Sequence, residues 1–265
     1  IIDELRQLIE PQVLRRMKHD VAELPAKHEI NDCKNIEIST LQRTLYKQVS
    51  NDYRSLSEQG HKGVMLKALH DMRMICAHPL NFQEKATIKD SPKAEWLINT
   101  LETIKQKNEK VIIFTEFRAI QVFLKRLLLE RFGLNVTTVN GDSNTNSRVG
   151  LTRQGIIDKF QEVNGFNVII LSTVAVGFGV NIQKANHVVH YTRSWNPAKE
   201  DQATDRAYRI GQDKEVYVYY PSIAAQDFET FEIKLDKLLS SKRSLADDML
   251  KPNVELTQEL IQSIY

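Results

Sequence analysis

Only two cysteines occur in 265 residues, Cys33 and Cys76, far apart and without Cys-x-x-Cys spacing. That argues against a disulfide framework or a zinc site and suits a reducing compartment, with both thiols read as small buried apolar groups. Long hydrophobic runs are lacking too. The longest apolar stretch, Val168 to Val180, is interrupted by Ser172, Thr173 and two glycines, and is too short to span a bilayer. No membrane partner is therefore expected. The opening residues, Ile1-Ile2-Asp3-Glu4, carry no basic-then-apolar leader, and with no methionine at the first position a piece of a longer protein is expected. There is no large excess of either charge. The net charge is +2, so any nucleic-acid-binding face must come from local clustering. Also missing are a Gly-x-x-x-x-Gly-Lys-Ser/Thr phosphate loop, an Asp-Glu-x-His magnesium motif and a Gly-x-Gly-x-x-Gly dinucleotide fingerprint. No internal repeat or low-complexity tract occurs.

What is present reads as a globular domain in two styles. Residues 1–93 read as helical and connecting. Leu5, Leu8 and Ile9 recur before Pro11, and a basic stretch, Arg15-Arg16-Lys18, precedes Leu24-Pro25. Amphipathic helices are predicted over Leu41 to Ser57 and Val64 to Ala77, with Gly60 and Gly63 in the turn between them and His78-Pro79 as the stop. His78 is read as a helix-end residue. From Ala94 the pattern alternates. Apolar runs at Val111 to Phe114, Val136 to Val139, Val168 to Leu171, Val188 to Tyr191 and Val216 to Tyr219 are separated by helices at about 96–104, 120–131 and 153–161. Short β-branched runs between helices predict an α/β parallel sheet covered on both faces. A last helix is expected from about Asp227 to Leu250.

The chemistry concentrates between Val168 and Gln212. Ser172-Thr173 and Gly177-Phe178-Gly179-Val180-Asn181 follow a predicted strand, where parallel sheets place ligand loops. Glycines there let backbone N–H groups approach a phosphate, although taken alone they are better explained by a tight turn. The next predicted helix has Asn196 as its cap, Pro197 at its first position and Gly211 as its stop. Along it Ala203, Ala207 and Ile210 share an apolar face; Gln202, Arg206 and Arg209 share a polar one. Two guanidiniums one turn apart suit a polyphosphate. A solvated face with an Asp205–Arg209 pair is the plainer alternative.

Arg206-x-x-Arg209-x-Gly211-Gln212 after Trp195-Asn196-Pro197 resembles motif VI of the Swi/Snf-related, superfamily 2 helicase-like ATPases. Ser172-Thr173 through Asn181 resembles their motif V, and Val111 to Phe117 their motif IV. Asn140-Gly141 with Arg153 to Phe160 resembles the loop and helix between the two. Leu14 to Pro25 is similar to the linker after the family's first motor lobe, Met72 to Pro79 to its helical protrusion, and the tail through Lys242, Leu245 and Leu250 to its brace helix. The chain departs from the family pattern at Val176 to Val180, over Asp142 to Thr152, and at Thr192-Arg193-Ser194, where an aspartate is common. The last departure reads more like bacterial or viral members.

The resemblance implies a RecA-like parallel sheet flanked by helices, with an N-terminal helical protrusion and a C-terminal brace helix. Implied boundaries are 1–93 for linker and protrusion, 94–225 for the RecA-like lobe, and 226–265 for brace and tail. It implies one motor lobe of an ATP-dependent double-stranded DNA translocase, in the cytoplasm or nucleus, with ATP and Mg2+ held mainly by a first RecA-like lobe of the same protein. In this family arrangement Arg206 and Arg209 are catalytic fingers, Gln202, Gly177, Gly179 and Asn181 serve the nucleotide, and Thr115, Arg118, Ser172 and Thr173 contact DNA. No metal ligand is implied on this chain, and a DNA-bound protein complex is the implied target. Isolated, the lobe is expected to be inactive. Two alternatives stay open: a non-catalytic DNA- or protein-binding module, and an RNA helicase lobe.

Overall fold

The computed structural model describes residues 24–58, 64–140, 152–173 and 180–250. The predicted features at 1–23, Gly60, Gly63, the 141–151 loop, Gly177, Gly179 and the segment beyond 250 lie outside these residues, as does the side chain of Leu245.

Six strands form a parallel sheet: β1 (Lys27–Ile30), β3 (Lys110–Phe114), β4 (Thr138–Val139), β5 (Asn167–Leu171), β6 (His187–His190) and β7 (Val216–Tyr219), in the order β1-β7-β6-β3-β5-β4. Between them run α3 (Pro92–Gln106), α4 (Arg118–Phe132), α5 (Arg153–Glu162) and α6 (Pro197–Thr204). The central strands carry unbroken apolar runs, Val111 to Phe114, Val168 to Leu171 and Val188-Val189, because both faces are covered. Val111, Ile113, Val168, Ile170 and Val189 face one way, into a core with Leu97, Leu101 and Leu124 of the α3 and α4 helices. Ile112, Phe114, Ile169, Leu171 and Val188 face the other way, onto Ile157 and Phe160 of α5 and Ala203 of α6. The two-residue period of a strand makes this sorting automatic. Helix α4 ends at Gly133, whose φ of 67° lets its N–H turn back to the carbonyls of Leu128 and Leu129.

The α1 (Thr40–Glu58) and α2 (Val64–Ala77) helices form an antiparallel hairpin, and α7 (Phe231–Leu250) packs against α2. Gln42 is fully buried, and its amide donates to the last carbonyls of α2, Ile75 at 2.7 Å and Cys76 at 3.3 Å. One side chain thus ties the two helices together and satisfies a helix end. His78 ends α2 as expected: its Nδ1 accepts from the Leu80 N–H at 3.0 Å, and burial pushes its imidazole down to about 4. Both cysteines are free and buried. No helix among the described residues is long and apolar enough to cross a membrane.

Three strands were not expected from the sequence. β1 lies within the stretch read as helical and connecting, and it joins the main sheet beside β7. β2 (Ile36–Glu37) pairs with β8 (Ile223–Ala224) as a two-stranded annex. All are short, and three of the four β1 residues are exposed, so no apolar period marks them. The last helix begins at Phe231 rather than near Asp227. Thr230 makes the start: its hydroxyl donates to the Ile223 carbonyl and accepts from the Ile233 N–H at 3.3 Å.

Candidate functional site

The register aligns the C-terminal ends of three neighbouring strands, with Phe114 opposite both Leu171 and His190. From β3 the chain runs outward to the β4 edge, returns to β5, then crosses to β6 on the other side of β3. That reversal is a switch point, where open parallel sheets form their crevices. Thr115 and Ser172 immediately follow β3 and β5, and Thr192 comes two residues after the end of β6.

All four expected DNA contacts fall on this edge, in two conditions. Thr115 is fully buried: its hydroxyl accepts from that of Thr192 at 2.9 Å and its carbonyl accepts from the Gln121 amide at 2.9 Å. Ser172 is buried as well, with its N–H donating to the Val139 carbonyl. These two shape the edge. Thr173 is half-buried, and Arg118 is exposed at the start of α4. The Thr173 N–H donates at 2.5 Å to Glu116, and the Thr173 hydroxyl donates to the same carboxylate.

The arginine segment folds differently from the predicted single helix. Asn196 caps α6, accepting from the Ala198 N–H at 3.0 Å, and Pro197 is its first residue, but the helix stops at Thr204. Carbonyls that would continue it are taken by other partners. The Arg206 carbonyl accepts from the Ile182 N–H at 2.9 Å, and the Ala207 carbonyl from the Gln212 amide at 3.1 Å. A run of turns therefore carries Arg206 and Arg209. Ala203 and Ala207 stay in the core, while Ile210, expected beside them, is 65% exposed. Gly211 ends the run with φ of 95°, and a Cβ there would come within 3.0 Å of the Gln183 amide.

Arg209 is exposed, and its Nη1 donates to Asn181 Oδ1 at 2.6 Å, so two of the expected residues meet. Arg206 is half-buried, and its Nε is sealed from solvent without a hydrogen-bond partner. Burial pushes its pKa down, the Arg209 charge adds to that, and Asp205 opposes both. Gln202 is exposed on the last turn of α6. A guanidinium with a buried unused donor, next to a second guanidinium, is suited to receive an anion with several oxygens. Among the described residues no group of His, Cys, Asp and Glu has the arrangement to hold a metal ion.

Several supporting residues were not foreseen. Gln212 is buried, and its amide also donates to the Gln183 and Ala185 carbonyls, each at 2.9 Å, pinning the arginine turn to the chain that follows Asn181. Its place in the Arg-x-x-Arg-x-Gly-Gln pattern was the available signal. Arg193 lies between the Glu200 and Asp236 carboxylates, and Arg243 bridges Glu200 and Asp201. This cluster fastens α6 to α7. Lys93, fully buried, pairs with Glu232. Arg73 stacks between Phe117 and Trp195, 4.8 and 5.5 Å from their ring centres, and donates to the Arg193 carbonyl at 2.6 Å. Trp195 also meets Phe231 at 5.1 Å, so it packs against α2 and α7.

Residues 92–211 match the helicase conserved C-terminal domain. The chain is 51% identical to the Zorya protein ZorD of Escherichia coli O139:H28 (strain E24377A / ETEC), over 97% of this chain and 24% of that one. It is 28% identical to the ISWI chromatin-remodeling complex ATPase CHR11 of Arabidopsis thaliana, over 97% and 26% respectively. The Sulfolobus solfataricus SWI2/SNF2 ATPase core in complex with dsDNA superposes with a TM-score of 0.68 at 30% identity, over 94% of this chain and 52% of that one. The chain thus spans about a quarter of the curated relatives' length. With its parallel sheet, motif order and sequence likeness in agreement, the chain belongs to the Swi/Snf-related superfamily 2 helicase-like ATPases, as their C-terminal RecA-like lobe.

Proposed function

We propose that this lobe completes an ATP site held mainly by a first RecA-like lobe of the same protein, in a motor that translocates along double-stranded DNA. Arg206 and Arg209 act as arginine fingers toward the γ-phosphate, with Arg209 as the principal one. Gln202 positions the pair, and Asn181 orients Arg209 and, with Gly177 and Gly179, links the nucleotide to the strand edge. Bound ATP with Mg2+ supplies the phosphoryl group whose negative charge the fingers neutralise. DNA is gripped through its phosphates by Thr173 and Arg118, on an edge that Thr115 and Ser172 keep in shape. A DNA-bound protein complex is the object that such a motor would displace or remodel.

The observation that carries this reading is the buried, unpartnered Nε of Arg206 beside Arg209. Arginine stays charged in proteins, and a buried charged donor left unmade is costly. An anion presented from outside the lobe removes that cost once the half-buried Arg206 side chain turns toward it, and a finger contact of this kind is worth roughly 10³–10⁵ in rate.

The test is Arg209→Ala in the full-length protein. DNA-stimulated ATPase is expected to vanish while duplex binding persists; near-normal turnover overturns the assignment. The isolated chain is expected to show no ATPase, and robust turnover by the pure lobe would reveal a different active site. Stimulation by RNA instead of duplex DNA would move the protein to the RNA helicases.

A further inference from the structure

The edge proposed to grip phosphate already holds an anion of the protein's own. Glu116 sits in the loop between β3 and α4, and its Oε1 accepts both the backbone N–H of Thr173, at 2.5 Å, and the Thr173 hydroxyl. Those are the two donors that a nucleic-acid phosphate oxygen would take from this residue. Carboxylate and phosphate oxygens are acceptors of the same kind, each drawn to charge-assisted hydrogen bonds, and one pair of donors serves one of them at a time.

A second partner for the carboxylate lies close by. Burial pushes the Arg73 guanidinium's pKa down, while Glu232, then Glu116, then Glu200 act against it, so the Glu116 charge is felt at Arg73. Arg73 is held in place by the Phe117 and Trp195 rings and by the Arg193 carbonyl. A carboxylate leaving Thr173 thus has a fixed cation to turn toward.

We infer that Glu116 sets the threshold for nucleic-acid binding at this edge, its carboxylate filling the phosphate position at Thr173 until a duplex backbone displaces it. The inference rests on the reading of Thr173 as a phosphate contact. Its physical content is competition. A backbone that touches only Thr173 must lose the Glu116 bonds to gain its own, and it meets a like charge as it approaches. A duplex that engages Arg118 at the same time gains an additional ionic contact, which offsets the exchange. Weak single contacts are rejected and a properly seated backbone is accepted.

The experiment uses the full-length protein, a fluorescently labelled DNA duplex and anisotropy titrations without nucleotide at fixed salt. Glu116→Gln keeps the size and removes the charge; it is expected to bind duplex about tenfold more tightly. Glu116→Ala moves affinity in the same direction and covers the case in which glutamine disturbs the loop. Added to Glu116→Gln, Thr173→Ala is expected to weaken binding by roughly three- to tenfold, the hydroxyl's share of the contact; alone it costs less, because the hydroxyl's bond to Glu116 is lost as well. Combined with Thr173→Ala, the gain from Glu116→Gln shrinks, since the two residues act on one pair of donors. Damage to the loop alone would weaken binding, so tighter binding distinguishes the competitor from a purely structural residue. If Thr173→Ala weakens binding while both Glu116 variants bind no more tightly, the competition is overturned and the phosphate contact stands. If Thr173→Ala has no effect even when Glu116 is glutamine, the phosphate contact fails and the competition with it.

Discussion

Two pairs of arginines lie within one short stretch of fold, and they are treated in opposite ways. Arg193 and Arg243 are surrounded by carboxylates from Glu200, Asp201 and Asp236. Burial alone would raise the Glu200 pKa, yet Arg193 and its other basic neighbours hold it below the ordinary value. Arg206 and Arg209 instead are held by their backbone and by amides: the Ile182 N–H, the Gln212 side chain and Asn181. The first pair is complete without a ligand. The second is fixed in place by amides, with Asp205 the opposing charge felt at Arg206 and one Arg206 donor left unused. Carboxylate-paired arginines brace the fold, and a guanidinium with an unused donor is what the proposed nucleotide contact would draw on.

Arg206→Ala and Arg193→Ala separate the two pairs. The first is expected to lower DNA-stimulated ATPase of the full-length protein by roughly 10³-fold or more, with no loss of thermal stability. The second is expected to cost about 3–5 kcal/mol in denaturant unfolding, because it leaves Glu200 buried with less compensation. If Arg193→Ala kept its stability and lost turnover, the distinction between bracing and binding arginines would collapse. Acid probes the buried scaffold. Burial drives the His190 imidazole down to about 4, and His78 behaves alike. Between about pH 6.5 and 4 the unfolded chain binds more protons than the folded one, so stability is full above 6.5 and falls as pH drops toward 4. Each histidine accounts for about 3 kcal/mol at most. Urea midpoints across that range would check the slope; a flat profile means both imidazoles titrate freely. The smallest effect belongs to Gly211→Ala, which forces a left-handed backbone on a residue with a Cβ and crowds Gln183. A loss of about 1–3 kcal/mol is expected in thermal melts, and the misplaced turn should reduce turnover further than stability alone explains.

Much of this fold was legible because its central strands advertise themselves. β7 and α2 match their predicted limits, and β3 and β5 differ by one residue each, since β-branched runs and the His78-Pro79 stop are local signals. The annex strands were not legible; two residues such as Ile36-Glu37 become a strand only because Ile223-Ala224 lies beside them. The site divides in the same way. Arg206, Arg209 and Asn181 were visible as a motif. The early end of α6 was not, because the Ile182 N–H and the Gln212 side chain, not helix propensity, claim the carbonyls of Arg206 and Ala207. The carboxylate of Glu116 gave no periodicity to read and acquires meaning only beside Thr173.

The pairing of β1 with β7 has a mechanical consequence. The two strands run parallel over four residue pairs, from Lys27 opposite Val216 to Ile30 opposite Tyr219. A pull on the chain before Lys27, resisted by the α7 side of the lobe, loads those strands lengthwise. Their hydrogen bonds must then slip together instead of peeling one by one, which makes β1 resistant to a lengthwise load.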